Sequence, residues 1–236
     1  MKILCLGDSL TFGSVGFSYI PWLGANIQPV NKGKNGDTVR GARRRLQRYL
    51  KQSKYDAVST VVVWIGVNDL LVPFLATLSP LWKMVMKPRC AYKRCKEEDA
   101  AFAAEYERML DLLKKSGKRA VLVGLPVVQI EGFPPERLKS RNAVIQDLAK
   151  KHSLPYVDAY ALQSEALHDR REEYSWGVFW LNRLADAAIM ALFQSTKDRC
   201  AKKRSLTLTV DGVHLASRSA KLLGAEIGRK VLHPAD

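Results

Sequence analysis

Met1-Lys2-Ile3-Leu4-Cys5-Leu6-Gly7-Asp8-Ser9-Leu10 decides the fold. Lys2 to Leu6 reads as a buried strand, an unbroken apolar run of the kind found in parallel sheets covered on both faces. Gly7 to Leu10 follows at once, at the carboxyl end of that strand, which is where open α/β sheets bind their ligands. A serine there faces substrate. The same triplet also reads as a turn glycine followed by a helix N-cap, so by itself it leaves both readings open. Because the strand begins at residue 2, no signal or transit segment is expected, and the chain is expected in an intracellular, cytoplasmic space.

Working outward, short β-branched runs alternate with longer amphipathic stretches, the pattern of strands crossed over by helices. Four further strands are predicted, around Ile27 to Val30, Ala57 to Ile65, Arg119 to Leu125 and Leu154 to Val157. Val39, Ala42, Leu46 and Tyr49 recur at helical spacing, as do Phe102, Tyr106, Met109, Leu110 and Leu113. Pro134 and Pro135 open another helix running to about His152, and Ala220, Leu223, Ile227 and Val231 mark a closing one. No repeat or linker interrupts the chain, so one α/β domain over residues 1–236 is expected.

Two stretches exceed this plan and read as insertions beside the active face, at about 70–96 and 160–208. Leu70 to Lys96 runs from apolar residues into Lys83, Lys87, Arg89, Lys93, Arg94 and Lys96 without one acid, a composition suited to a lid or an interface. Pro73 and Pro80 and a length just short of the usual ~18 residues argue against a membrane span there. In the second stretch Trp176, Phe179, Trp180, Leu184, Ala188 and Leu192 share one helical face, which serves either packing or a lid.

Composition narrows the classes. The 236 residues are 47% hydrophobic and 26% charged, enough to close one sizeable core, which excludes a collagen, a disordered tail and a disulfide mini-protein. Lysine and arginine outnumber the acids 38 to 23, so a cationic surface and an anionic substrate, partner or membrane face are expected. Arg40, Arg43, Arg44, Arg45, Arg48, Lys51 and Lys54 read as the solvated face of a helix. No aromatic platform accompanies them, so no specific nucleic acid is expected, while anionic lipid head groups or an acidic partner fit the charge. Cys5, Cys90, Cys95 and Cys200 read as free thiols, and His152, His168 and His233 lack ligand spacing, so neither a metal nor a cofactor is expected.

Near the other end, Asp211-Gly212-Val213-His214 places a carboxylate three residues before an imidazole, an offset at which a turn lets the acid orient the ring toward a serine. Such a pair needs donors for the charge that develops on a carbonyl oxygen. Asn31 to Thr38, following the second strand, offers the backbone N–H of Gly36. Gly66-Val67-Asn68-Asp69, following the third, offers the amide of Asn68.

These four blocks, in this order, resemble the GDSL or SGNH serine hydrolases, in particular their thioesterase and lysophospholipase branch. The resemblance spans the chain and implies a three-layer α/β/α flavodoxin-like fold with a five-stranded parallel sheet. It implies Ser9 as nucleophile, His214 as base and acid, Asp211 as its orienter, and an oxyanion hole of Ser9, Gly36 and Asn68. Compact members of that branch have a short connection after the asparagine block, whereas this chain carries the Leu70 to Lys96 insertion. Its Leu71, Val72, Phe74, Leu75, Leu78, Leu81 and Trp82 either wall an acyl pocket, with Leu71, Phe74 and Trp82 as the expected substrate contacts, or form ordinary core or a dimer contact. The expected activity is hydrolysis of lipid-like or short-chain acyl esters. The runner-up is a carbohydrate or aryl ester deacetylase, and the rival from another class is an inactive basic binding protein.

Overall fold

The computed structural model describes residues 1–168, 170, 172–177, 190 and 194–233. Five parallel strands form one sheet in the order β2-β1-β3-β4-β5, with β1 Lys2–Gly7, β2 Gln28–Gly33, β3 Thr60–Trp64, β4 Arg119–Val123 and β5 Tyr156–Val157. The central strands β1, β3 and β4 are buried almost throughout, as their apolar runs require. β2 lies at the edge, where its polar residues and Pro29 cost no ladder bond on the open side. That polarity hid three of its residues from the sequence. Pairing with β1, from Lys2 opposite Gln28 to Gly7 opposite Gly33, carries the strand on to Gly33.

The helices α1 (Ser9–Phe12), α2 (Val39–Tyr49), α3 (Val67–Leu78), α4 (Pro80–Lys93), α5 (Asp99–Lys115), α6 (Pro135–Lys151), α7 (Ala159–Leu167), α8 (Lys197–Lys203) and α9 (Ser217–Leu232) follow in chain order. α2 packs on α5 and α5 on α6, making one layer; α9, with α7 and the 3-10 turn Ile20–Trp22, makes the other. The first insertion is a hairpin of α3 and α4, with Ser79 capping α4 by accepting from the Trp82 N–H. In the second insertion, Phe179, Trp180, Leu184, Ala188 and Leu192 lie outside the described residues. Among the described residues, no helix is long and apolar enough to cross a membrane.

Strand order reverses between β1 and β3, and such an order opens a crevice at the carboxyl ends of the strands. All three N-terminal sequence blocks leave the sheet at that edge.

Candidate active site

Ser9 begins α1 directly after β1, and Asp8 caps that helix by accepting the Leu10 N–H at 2.9 Å. The turn before α9 supplies the other half. Asp211 Oδ1 accepts the N–H groups of Val213 (3.1 Å) and His214 (2.9 Å), which locks the carboxylate against the histidine backbone. Gly212 makes the turn possible at φ +90°, where a side chain would also run into the Gln129 carbonyl. His214 Nδ1 then lies 2.9 Å from Asp211 Oδ2, and Nε2 lies 3.0 Å from Ser9 Oγ, joining residues 205 apart in the chain. With the Nδ1 proton held by the carboxylate, Nε2 presents its lone pair to the serine hydroxyl.

The donors converge on the same crevice. Asn68, at the start of α3, gives its Nδ2 to Asp37 O (3.0 Å) and, less closely, to Asp8 Oδ2 (3.3 Å). Gly36 has φ +63°, a conformation that favours glycine, and the Arg89 guanidinium lies where its Cβ would be. Among the described residues, no protein acceptor engages the N–H of Ser9 or Gly36. Ser9, Gly36, Asn68 and His214 line one cavity of about 220 Å³ together with Leu71, Val72, Leu75, Met86 and Trp176.

Of the three expected substrate contacts, only Leu71 faces this cavity. Phe74 points away, its ring 4.9 Å from that of Phe133 in a separate cleft. Trp82 stands behind Trp176, 5.7 Å ring to ring, and donates to Gly177 O. The basic face of α2 is corrected too. Arg45 is buried, bonded to Asp37 Oδ2 (2.8 Å from Nε), to Gly7 O (2.8 Å) and to Lys32 O. It thereby ties the ends of β1 and β2 to the loop that carries Gly36.

Further supports were silent in the sequence. Gln129 donates its backbone N–H to Gly212 O (2.7 Å), and its side-chain oxygen accepts from Thr209 Oγ1 (2.7 Å), which in turn accepts the Gly212 N–H. Trp176 Nε1 donates to Asp211 O at 2.7 Å. Asp69 accepts from Val39 N (2.9 Å) and Lys96 N (2.7 Å), pinning α2 and the end of the insertion to the asparagine block. Burial pushes the carboxyls of Asp8 and Asp69 up to about 7.

The family model of the GDSL-like lipase/acylhydrolase family matches residues 5–181. The chain belongs to this family. As a GDSL-like acylhydrolase it is a carboxylic ester hydrolase, and Asp211 and His214 lie beyond the matched residues. Its fold is that of a lipase/acylhydrolase from Enterococcus faecalis, at 21% identity and TM-score 0.59 over 98% of this chain and 94% of the other. It is also that of an acetylxylan esterase from Geobacillus stearothermophilus, at 19% and 0.61 over 98% and 94%. The aryl esterase of M. smegmatis is similar at 15% and 0.59, over 98% of each chain. No curated protein matches the chain.

Proposed function

We propose that this GDSL hydrolase cleaves short-chain acyl esters through a covalent acyl-enzyme formed on Ser9. The observation that carries the reading is the line of contacts from Asp211 through His214 to the Ser9 hydroxyl, each about 3 Å. His214 takes the Ser9 proton as Oγ attacks the ester carbonyl, while Asp211 steadies the ring and the positive charge it acquires. The oxyanion is received by the N–H groups of Ser9 and Gly36 and by the Asn68 amide, which exchanges its looser contact with Asp8 for the developing charge. Collapse expels the alcohol, protonated by His214. Water then attacks the acyl-serine by the same route and frees the acid.

The cavity volume, about 220 Å³, and its apolar wall of Leu71, Val72, Leu75 and Met86 support a short acyl chain over a long one. The same volume suits acetyl, so deacetylation of a carbohydrate or aryl ester is the second reading. The test is a series of p-nitrophenyl esters from acetyl to decanoyl, with Ser9→Ala as control. Turnover that peaks at two to six carbons and vanishes in Ser9→Ala is expected. Retained turnover or fluorophosphonate labelling in Ser9→Ala would remove Ser9 from the role, and a peak at acetyl alone would favour the deacetylase.

A further inference from the structure

A second cavity, about 230 Å³, lies between the start of α2 and the end of α4, and it is lined by Lys34, Arg40, Arg44, Arg48, Lys93 and Arg94. The one carboxylate on its wall, Asp37, is occupied by Arg45 at 2.7 Å. Glu105, on the neighbouring helix α5, is taken by Arg43 and Arg108. Arg45 is the seventh cation on the wall; among the described residues the other six make no ion pair or side-chain hydrogen bond, and Arg40 Nε is sealed from solvent without a partner. Desolvation, then repulsion by Arg94 and Arg44, holds the Arg40 guanidinium below its usual proton affinity, and desolvation holds the Lys93 ammonium below its own against the attraction of Asp37. Six cations crowded around one hollow, four of them exposed, build a local positive potential that a bound anion lowers.

We propose that this cavity binds a phosphate group beside the ester site. Arginine forks match a tetrahedral oxyanion, and a phosphate brings three acceptor oxygens and up to two charges where a carboxylate brings two oxygens and one. The two cavities share their walls. Lys34 and Asp37 face the cationic one, while Asn35 and Gly36 between them face the ester site; α4 turns Lys93 to the first and Met86 and Arg89 to the second. Thr38 Oγ1, donating to Lys93 O at 3.1 Å, fastens the loop to α4. The phosphate is either part of the ester substrate's own alcohol or borne by a separate molecule.

Two arms test this on the full chain. In the first, pyrophosphate is titrated by calorimetry and thermal unfolding at constant ionic strength against chloride. Saturable binding is expected, weakened about tenfold or more in the Arg40→Gln/Arg44→Gln double variant and in Lys93→Gln. Without pyrophosphate the double variant should melt no lower than wild type, since it has lost repulsion rather than contacts. No saturable binding, or equal binding in both variants, overturns the site. In the second arm, which rests on the esterase reading, kcat/KM is compared for the butanoyl esters of glycerol and of glycerol 3-phosphate. A preference for the phosphorylated ester that disappears in the double variant, with the glycerol ester rate unchanged, assigns the phosphate to the substrate. Equal rates alongside retained pyrophosphate binding assign it to a separate ligand. Pyrophosphate binding by a wild type that hydrolyses neither ester would overturn the esterase reading and leave the site standing.

Discussion

Asn68 has two hydrogens on Nδ2, and the fold gives them unequal acceptors, the Asp37 carbonyl at 3.0 Å and Asp8 Oδ2 at 3.3 Å. The shorter contact fixes the amide, and in the proposed mechanism the longer one is the contact that a reacting carbonyl displaces. Asn68→Ala should lower kcat on p-nitrophenyl acetate about a hundredfold or more, the worth of one oxyanion donor at ~3 kcal/mol, with an unchanged circular-dichroism spectrum. Unchanged kcat would remove the amide from that role. Behind it, Asp8 and Asp69 are fully buried and titrate near 7, whereas in the unfolded chain they titrate near ~4. Between those values the folded protein holds protons that the unfolded chain has released, so the stability these groups contribute is present at low pH and is lost as pH rises through about 7. Urea unfolding at constant ionic strength should therefore show a higher midpoint at about pH 5.5 than at about pH 8. The salt-bridged Asp99, Glu105 and Glu107, held below the usual carboxylate range, act in the opposite sense and only in more acid solution. An equal or higher midpoint at the alkaline end contradicts the assignment. At this scale the sequence was most legible: Ser9, Gly36, Asn68, Asp211 and His214 sit in local motifs, and the fold brings them to one crevice, where the proposed mechanism gives them their roles.

Elements were legible where one face alone is apolar. α2, α5 and α9 show their buried stripes directly, and α2 is capped by Thr38, which accepts the Gly41 N–H. α3 does not, because it is apolar around most of its circumference. Leu71, Val72 and Leu75 turn toward the ester cavity, while Leu70, Pro73, Phe74 and Thr77 line the cleft toward Phe133. Only packing separates those two faces. α4 contributes Met86 to the floor of the cavity, so Met86→Ala should deepen it. With about 0.8 kcal/mol per buried methylene, kcat/KM for an ester two carbons beyond the wild-type optimum should rise about tenfold relative to acetyl. The variant should also lose about 2 kcal/mol or more of stability, read by denaturant unfolding. An unaltered chain-length profile would mean that Met86 does not bound the acyl site.

Across the whole molecule, buried cations hold distant segments in register. Lys197, on α8, is 1% exposed, and its Nζ donates to Gly13 O (3.0 Å) and Gly16 O (2.8 Å) near the first helix. Gly16 packs against His214 and Leu215, and Phe17 N donates to Leu215 O at 2.8 Å. One ammonium thus braces the loop that meets the histidine turn. Lys197→Met leaves two carbonyls without that donor and should cost about 2 kcal/mol or more in unfolding free energy, with a fall in esterase turnover that Lys197→Arg partly restores. Equal stability of Lys197→Met and wild type would show that water replaces the ammonium. Lys197 and Arg45 are both lysine or arginine in a chain with a net +15, and nothing local distinguishes them from the solvated cations around them. The sequence by itself determined the five-strand plan, the amphipathic helices that flank it and the motifs whose five residues meet at the crevice, because periodicity and motif are properties of neighbouring residues. Only the tertiary structure decided which cations are buried, which apolar side chains face the ester cavity and which six cations are left around one hollow. Burial and partnership depend on segments that the chain holds far apart until it folds.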